Sequence, residues 1–303
     1  MNNNKKSNAD SRRRFIRNAG LAAAGFYIVP RHVLGGKGFI APSDKLLIAG
    51  IGAGGKGGDD QRQFAKTGKA EIAFLCDVDD RQAAENRKLF PKAKYYHDWR
   101  ELFEKEHKHF DAVDVGIPDH NHAVVGFHAM QLGKHVYVQK PLTHDIWEAR
   151  MMVEAEKRYK VVCQMGNQGS SSDGLRRLRE WYDAGVIGEV HTVYCWTDRP
   201  TWPQAKPWLQ KNPPVPKGLQ WDLWLGTAMQ KEYEDGVLPF KWRGWWDYGT
   251  GSLGDMGCHI MGTVFKVLGL EYPFEVAATA CTPYVSDWEE GYYPDSPPLS
   301  SYI

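Results

Sequence analysis

The feature that most limits what this chain can fold into is a side-chain-poor turn, Gly52-Ala53-Gly54-Gly55-Lys56-Gly57, placed between the apolar run Leu46 to Ile51 and a helix-like stretch. Gly52, Gly54 and Gly57 satisfy G-x-G-x-x-G, and Gly55 lies in the same turn. Glycine suits it because the chain turns tightly, a pyrophosphate must approach the backbone, and the helix must aim its free N–H groups at negative charge. The motif alone is weak, and Gly50 offers a second register. Its context is stronger. A second apolar run ends at Asp77, twenty residues beyond Gly57, where a carboxylate can accept hydrogen bonds from ribose hydroxyls. Strand, turn, helix and acid in this order point to a dinucleotide. Asp77 opposes a 2′-phosphate and favours NAD, whereas Arg81, one helical turn on, could stack on adenine or receive that phosphate, so NADP is the alternative.

From Lys45 onward, short apolar runs alternate with longer amphipathic stretches, the signature of parallel strands and crossover helices. The spacing predicts strands over 45–51, 70–76, 111–116, 135–138 and 161–164. Helices are expected over 58–67, 80–90, 121–132 and 145–159. The expected fold is α/β: a Rossmann doubly wound parallel sheet over 41–165, then over 166–303 an incomplete α/β substrate domain with a large open sheet. That second domain should begin with a helix over 174–184 and a strand over 189–196, and resume with strands near 274–285 and 299–303.

Composition narrows the partner. Lys and Arg number 38 against 37 Asp and Glu, so no net field draws the molecule to nucleic acid or anionic membrane, and a small neutral ligand fits. Five cysteines stand apart with no C-x-x-C pair, which suggests buried thiols rather than a zinc site or a disulfide framework. Eight of the twelve tryptophans lie between Trp196 and Trp246, where they could stack on sugar rings or pack loops onto a sheet. Residues 1–40 carry Arg12-Arg13-Arg14-Phe15-Ile16-Arg17 ahead of a mildly apolar run too short to span a bilayer, and resemble a twin-arginine signal followed by a linker. An exported, periplasmic protein is therefore expected, without a membrane span and with a tightly held cofactor, because free NAD is scarce outside the cytoplasm.

The glycine turn, Tyr95-Tyr96-His97-Asp98-Trp99-Arg100, Pro118-Asp119-His120-Asn121-His122 and Gln139-Lys140-Pro141-Leu142-Thr143-His144 together resemble the Gfo/Idh/MocA family of sugar and inositol dehydrogenases. Further on, Gly166-Asn167-Gln168-Gly169, Trp221-Asp222-Leu223-Trp224-Leu225-Gly226 and Gly254-Asp255-Met256-Gly257-Cys258-His259 resemble a subgroup that often carries twin-arginine signals. The resemblance implies hydride transfer between NAD(P) and a hydroxyl carbon of a sugar, inositol or related polyol, with Lys140, Asp255 and His259 as catalytic residues. It also implies a homo-oligomer where the second sheet is complete. An NAD-dependent glycosidase working by transient oxidation and elimination, and a dinucleotide-binding module without turnover, are the alternatives.

These residues make chemical sense on their own. Lys140 follows a strand at the carboxyl edge, where ligands of open α/β sheets bind. Asp255 and His259, four apart on a helix expected over 253–268, share a face; a surface ion pair is the plainer explanation. His259 is expected to remove the hydroxyl proton, Asp255 to orient the hydroxyl or the imidazole, and Lys140 to stabilise charge on oxygen. Pro118, His120 and His122 sit at the same edge as candidate cofactor contacts, although packing suits at least one histidine, and no metal is expected because hydride transfer to NAD needs none. Three departures from the family pattern stand out. Gln139 replaces the usual Glu before the lysine, Gly262 replaces a common Asp, and the chain stops early at Ile303, as if C-terminally truncated.

Overall fold

Six parallel strands organise the first half of the chain: β1 (Leu46–Ile51), β2 (Ala70–Cys76), β3 (Lys94–Tyr96), β4 (Ala112–Val115), β5 (His135–Gln139) and β6 (Cys163–Gly166). In this computed structural model residues 40–199 and 202–303 are described, and the elements below lie in the compact unit Leu46–Ile303. Apart from Ile40, the leader expected over 1–40 falls outside the described residues. The sheet order is β3-β2-β1-β4-β5-β6, so strand order reverses between β1 and β4. Such a switch point opens a crevice at the carboxyl ends of the strands.

Crossovers are made by α1 (Gly55–Lys66), α2 (Asp80–Leu89), α3 (Trp99–Glu106), α4 (His122–Gln131) and α5 (Ile146–Tyr159). Both sheet faces are covered, which is why β4 is buried along its whole length despite its Asp114. One face packs Ile51, Val113, Val115, Val136 and Val138 against Val125, Met130 and Met152. The other packs Ile48, Ile72 and Leu75 against Ala83 and Phe64. Aspartates start three helices: Asp79, Asp98 and Asp145 each accept a backbone N–H, and Asp145 forms a reciprocal capping box with Glu148. Strand β3 and helix α3 were not expected from periodicity, because a three-residue strand and a two-turn helix offer too few repeats to read.

The second half is built differently. Helices α6 (Asp173–Asp183), the short α7 (Trp221–Leu225) and the long α8 (Gly251–Leu268) are joined by extended loops. The strand expected over 189–196 is not formed, and its residues are exposed and carry no regular structure. Strands β7 (Thr279–Cys281) and β10 (Ser300–Tyr302) pair antiparallel, as do β8 (Tyr284–Ser286) and β9 (Glu289–Glu290), so the described antiparallel structure is two short ribbons instead of one large sheet. An aromatic core replaces a sheet as the organiser. Trp221, Trp224, Tyr233, Trp242, Trp245 and Tyr248 are buried together, with Trp221 stacked on Trp224 at 4.9 Å and 7°. Packing therefore explains most of the tryptophan-rich stretch. No described helix is long and apolar enough to cross a membrane.

Candidate active site

The glycine turn leaves β1 at the switch point. Gly52 has φ +90°, and a Cβ there would sit 2.3 Å from the Gly116 carbonyl oxygen; one on Gly57 would sit 2.2 Å from the Gly52 oxygen. The turn must stay bare for β1, α1 and the end of β4 to meet, so backbone amides line it. The first-turn N–H groups of α1 have no acceptor within the helix. These features fit a diphosphate.

Asp77 is tied beneath this turn. Its Oδ2 accepts from the amides of Ala53 at 2.8 Å and Gly54 at 3.1 Å, and its Oδ1 from Asp79 at 2.9 Å. Burial outweighs these bonds and pushes the carboxyl up to about 6. A carboxylate offers about four acceptor directions, so one remains for a ribose hydroxyl. Arg81 donates from its Nε and Nη2 to Asp79 at 2.8 and 2.7 Å, an ion pair on the edge of the turn.

Two of the candidate cofactor contacts engage the protein's own backbone. His120 is buried with its ring nitrogens on the carbonyls of Tyr248, Trp224 and Leu225, and His122 lies 2.7 Å from the carbonyls of both Pro141 and Ile117. Burial lowers each to about 4, so each ring is neutral, donates one N–H to a carbonyl and packs among the protein's own polar groups. His122 fixes the peptide after Lys140. Pro118 ends the β4 edge ahead of a short 3-10 turn, and its neighbour Asp119 accepts from Thr250 Oγ1 at 3.1 Å. Burial pushes Asp119 up to about 7 against the pull of Arg243.

Lys140, Asp255 and His259 converge. Lys140 leaves the end of β5, and its Nζ donates to the Asp255 carboxylate at 2.5 Å and to the Asp255 carbonyl at 2.9 Å. Both side chains are nearly buried, at 11% and 7% exposure. Asp255 does not hydrogen-bond His259 among the described residues; it also accepts from Trp202 Nε1 at 3.3 Å and forms an ion pair with Arg243 at 3.3 Å. Asp255 thus holds the lysine in place of orienting the imidazole. His259, one turn along α8, is half-buried. Desolvation and the Lys140 charge lower its pKa, which keeps the ring neutral and so able to accept a proton.

Sequence reasoning missed Arg243, whose guanidinium lies 4.0 Å from the Trp242 ring, 4.7 Å from Phe240 and 5.2 Å from Trp202. A cation among tryptophans in Trp242-Arg243-Gly244-Trp245-Trp246 was the available signal. Gln139 also has its explanation. Its Nε2 donates to buried Asp60 at 2.5 Å, where a glutamate would set two carboxylates together.

Residues 46–167 match the profile of the oxidoreductase family with an NAD-binding Rossmann fold, and residues 183–285 match the family's C-terminal alpha/beta domain. The chain belongs to the Gfo/Idh/MocA oxidoreductase family. It is 32% identical over 152 residues to inositol 2-dehydrogenase of Salmonella typhimurium, covering 49% of this chain and 45% of that protein. It is 22% identical over 196 residues to levoglucosan dehydrogenase of Pseudarthrobacter phenanthrenivorans, covering 64% of this chain and 42% of that protein. The chain spans less than half the length of these curated relatives. The WlbA dehydrogenase of Bordetella pertussis, solved with NADH and UDP-GlcNAcA, shares the fold at a TM-score of 0.59 and 17% identity, covering 85% of this chain and 65% of that one.

Proposed function

We propose that this chain is an NAD-dependent oxidoreductase that oxidises a hydroxyl carbon of a cyclic polyol or sugar. The observation that carries the reading is the buried Lys140–Asp255 pair at the carboxyl edge of β5, one helical turn from a neutral histidine. Bound NAD supplies the hydride acceptor. The chain's own residues supply the rest. An ammonium has three donors, and Lys140 spends two on Asp255, so the third is available to a substrate oxygen. His259 takes the hydroxyl proton while Lys140 stabilises the negative charge that develops on oxygen. Asp255, braced by Arg243 and Trp202, keeps the ammonium aimed. Inositol and levoglucosan, named for relatives of this chain, are the first substrates to try.

His259→Ala is expected to lower kcat about 10²- to 10⁴-fold with NAD affinity unchanged, the range for loss of a general base. Full turnover in that variant would exclude the assignment. In the parent protein kcat/KM should rise with pH along a limb centred below the ordinary histidine value of about 6.5.

NAD is favoured over NADP because a carboxylate at Asp77, beside the glycine turn, would repel a 2′-phosphate, and because Arg81 is paired with Asp79. Asp79→Ser retains a helix cap but releases Arg81, and should narrow the NAD over NADP preference in binding titrations. Export through the twin-arginine route, with the dinucleotide already held, is part of the same proposal and rests on Arg12 to Arg17. Cytoplasmic retention of the protein in cells with a working twin-arginine translocase would remove that part alone.

A further inference from the structure

Beneath the candidate site, the sheet face that α1 covers carries a lane of buried polar side chains: Asp60 and Gln61 on the helix, Asp114 on β4 and Gln139 on β5, each at most 5% exposed. Polar groups this deep need partners. Asp60 and Gln139 form the end of the lane that meets the site. Lys56 Nζ holds Asp60 Oδ1 at 2.6 Å, which leaves Oδ2 to accept from Gln139 Nε2 at 2.5 Å. The other end of the same amide, Oε1, accepts the Lys140 N–H in a long bond of 3.3 Å. Two neighbours give this bridge its room and its span. A Cβ on Gly166, which pairs with Gln139 across the sheet, would lie 2.8 Å from that Nε2. Phe64 of α1 packs edge-on to Tyr137 at 5.1 Å, two residues before Gln139, and so holds helix and strand at a set distance.

We infer that Asp60 is a positioning residue for Lys140, acting through the Gln139 amide on the peptide from which the lysine leaves β5. The bridge needs a side chain that donates at one end and accepts at the other, which an amide does and a carboxylate does not. With Asp60 fixed on the helix, a glutamate at position 139 could still accept from the Lys140 N–H but would turn two acceptors toward each other. Exchanging the two groups restores the match: an asparagine at position 60 would donate to a glutamate at 139, whose second oxygen stays available to the same N–H. On the other side of the lysine the Pro141 carbonyl meets His122 at 2.7 Å, so the peptide is held both before and after Lys140. This role rests on the part assigned above to Lys140 in polyol oxidation.

The test compares Gln139→Glu, Asp60→Ala and the exchange Asp60→Asn with Gln139→Glu, each in the full chain. Two quantities are read on every variant: kcat with a polyol, and the rate at which trace acetic anhydride acetylates Lys140 in the resting protein, scored by peptide mass spectrometry. Gln139→Glu is expected to lower kcat about tenfold to a hundredfold, the scale of a misplaced catalytic group, and to speed Lys140 acetylation several-fold as the clasp with Asp255 loosens. The exchange should return both quantities toward the parent values. Asp60→Ala brings in no second carboxylate and should reproduce both changes, so a folding defect in Gln139→Glu does not hide the effect. Melting temperatures separate packing from positioning. Single variants that melt lower with kcat and acetylation unchanged overturn the inference, and so does an exchange variant no better than Gln139→Glu. Were the unsubstituted protein to oxidise no polyol, the functional reading would fall, and the acetylation of Lys140 alone would still decide for or against Asp60.

Discussion

The two halves of this molecule solve the same packing problem by different means. In the first, β-branched and aliphatic residues alternate with helical stretches, and each strand finds its neighbours through a short crossover. In the second, few backbone segments pair, and large aromatic rings fill the interior under long loops. The contrast separates two kinds of information. Periodicity encodes a sheet with helices on its faces, whereas a core of indoles and phenols depends on contacts between residues far apart in sequence, which no local repeat reveals.

The contrast is open to direct attack. Truncating the aromatic core by Trp224→Ala should destabilise the chain by about 3–5 kcal/mol, the usual range for a fully buried ring. Hydrogen exchange would then decide how separate the halves are: protection lost in the second half and retained in β1 to β6 means independent cores, and uniform loss means one. Next in size, Gly57→Ala puts a Cβ 2.2 Å from the Gly52 oxygen, and the turn must open. NAD affinity should fall at least about tenfold, equivalent to one lost charged hydrogen bond, while the melting of the aromatic core stays put. A subtler test uses pH. Asp77 titrates near 6, and its protonated form loses the acceptor that serves the turn and the ribose, so NAD affinity should decline as pH falls through that value. Asp77→Asn should flatten the profile. Smallest, Asp145→Ala removes the capping box of α5 and should cost about 1 kcal/mol with no change in cofactor binding.

What the sequence made legible follows the same division. The glycine turn, Asp77 and Lys140 were readable because each sits at a fixed place in a strand-turn-helix unit. The i,i+4 relation of Asp255 and His259 was readable too, but their partners were not. That Asp255 grips Lys140, and that Arg243 and Trp202 brace it, depends on how a loop from the second half folds back on itself. The surroundings of His120 and His122 were hidden for a related reason: the backbone carbonyls that each ring meets come from segments distant in sequence or from the loop itself. The expected strand over 189–196 failed because alternation of apolar residues is necessary for a half-buried strand, yet pairing needs a neighbour.

The clasp between Lys140 and Asp255 joins positions 115 apart in sequence. An ammonium this well hidden is costly to strand alone, by roughly 3–5 kcal/mol when its counter-ion is removed. The reactive charge is therefore comfortable only once both halves have been made and have met. If the proposed chemistry holds, a nascent chain that has finished its sheet but not its last long helix would carry the glycine turn without the partner that settles its lysine.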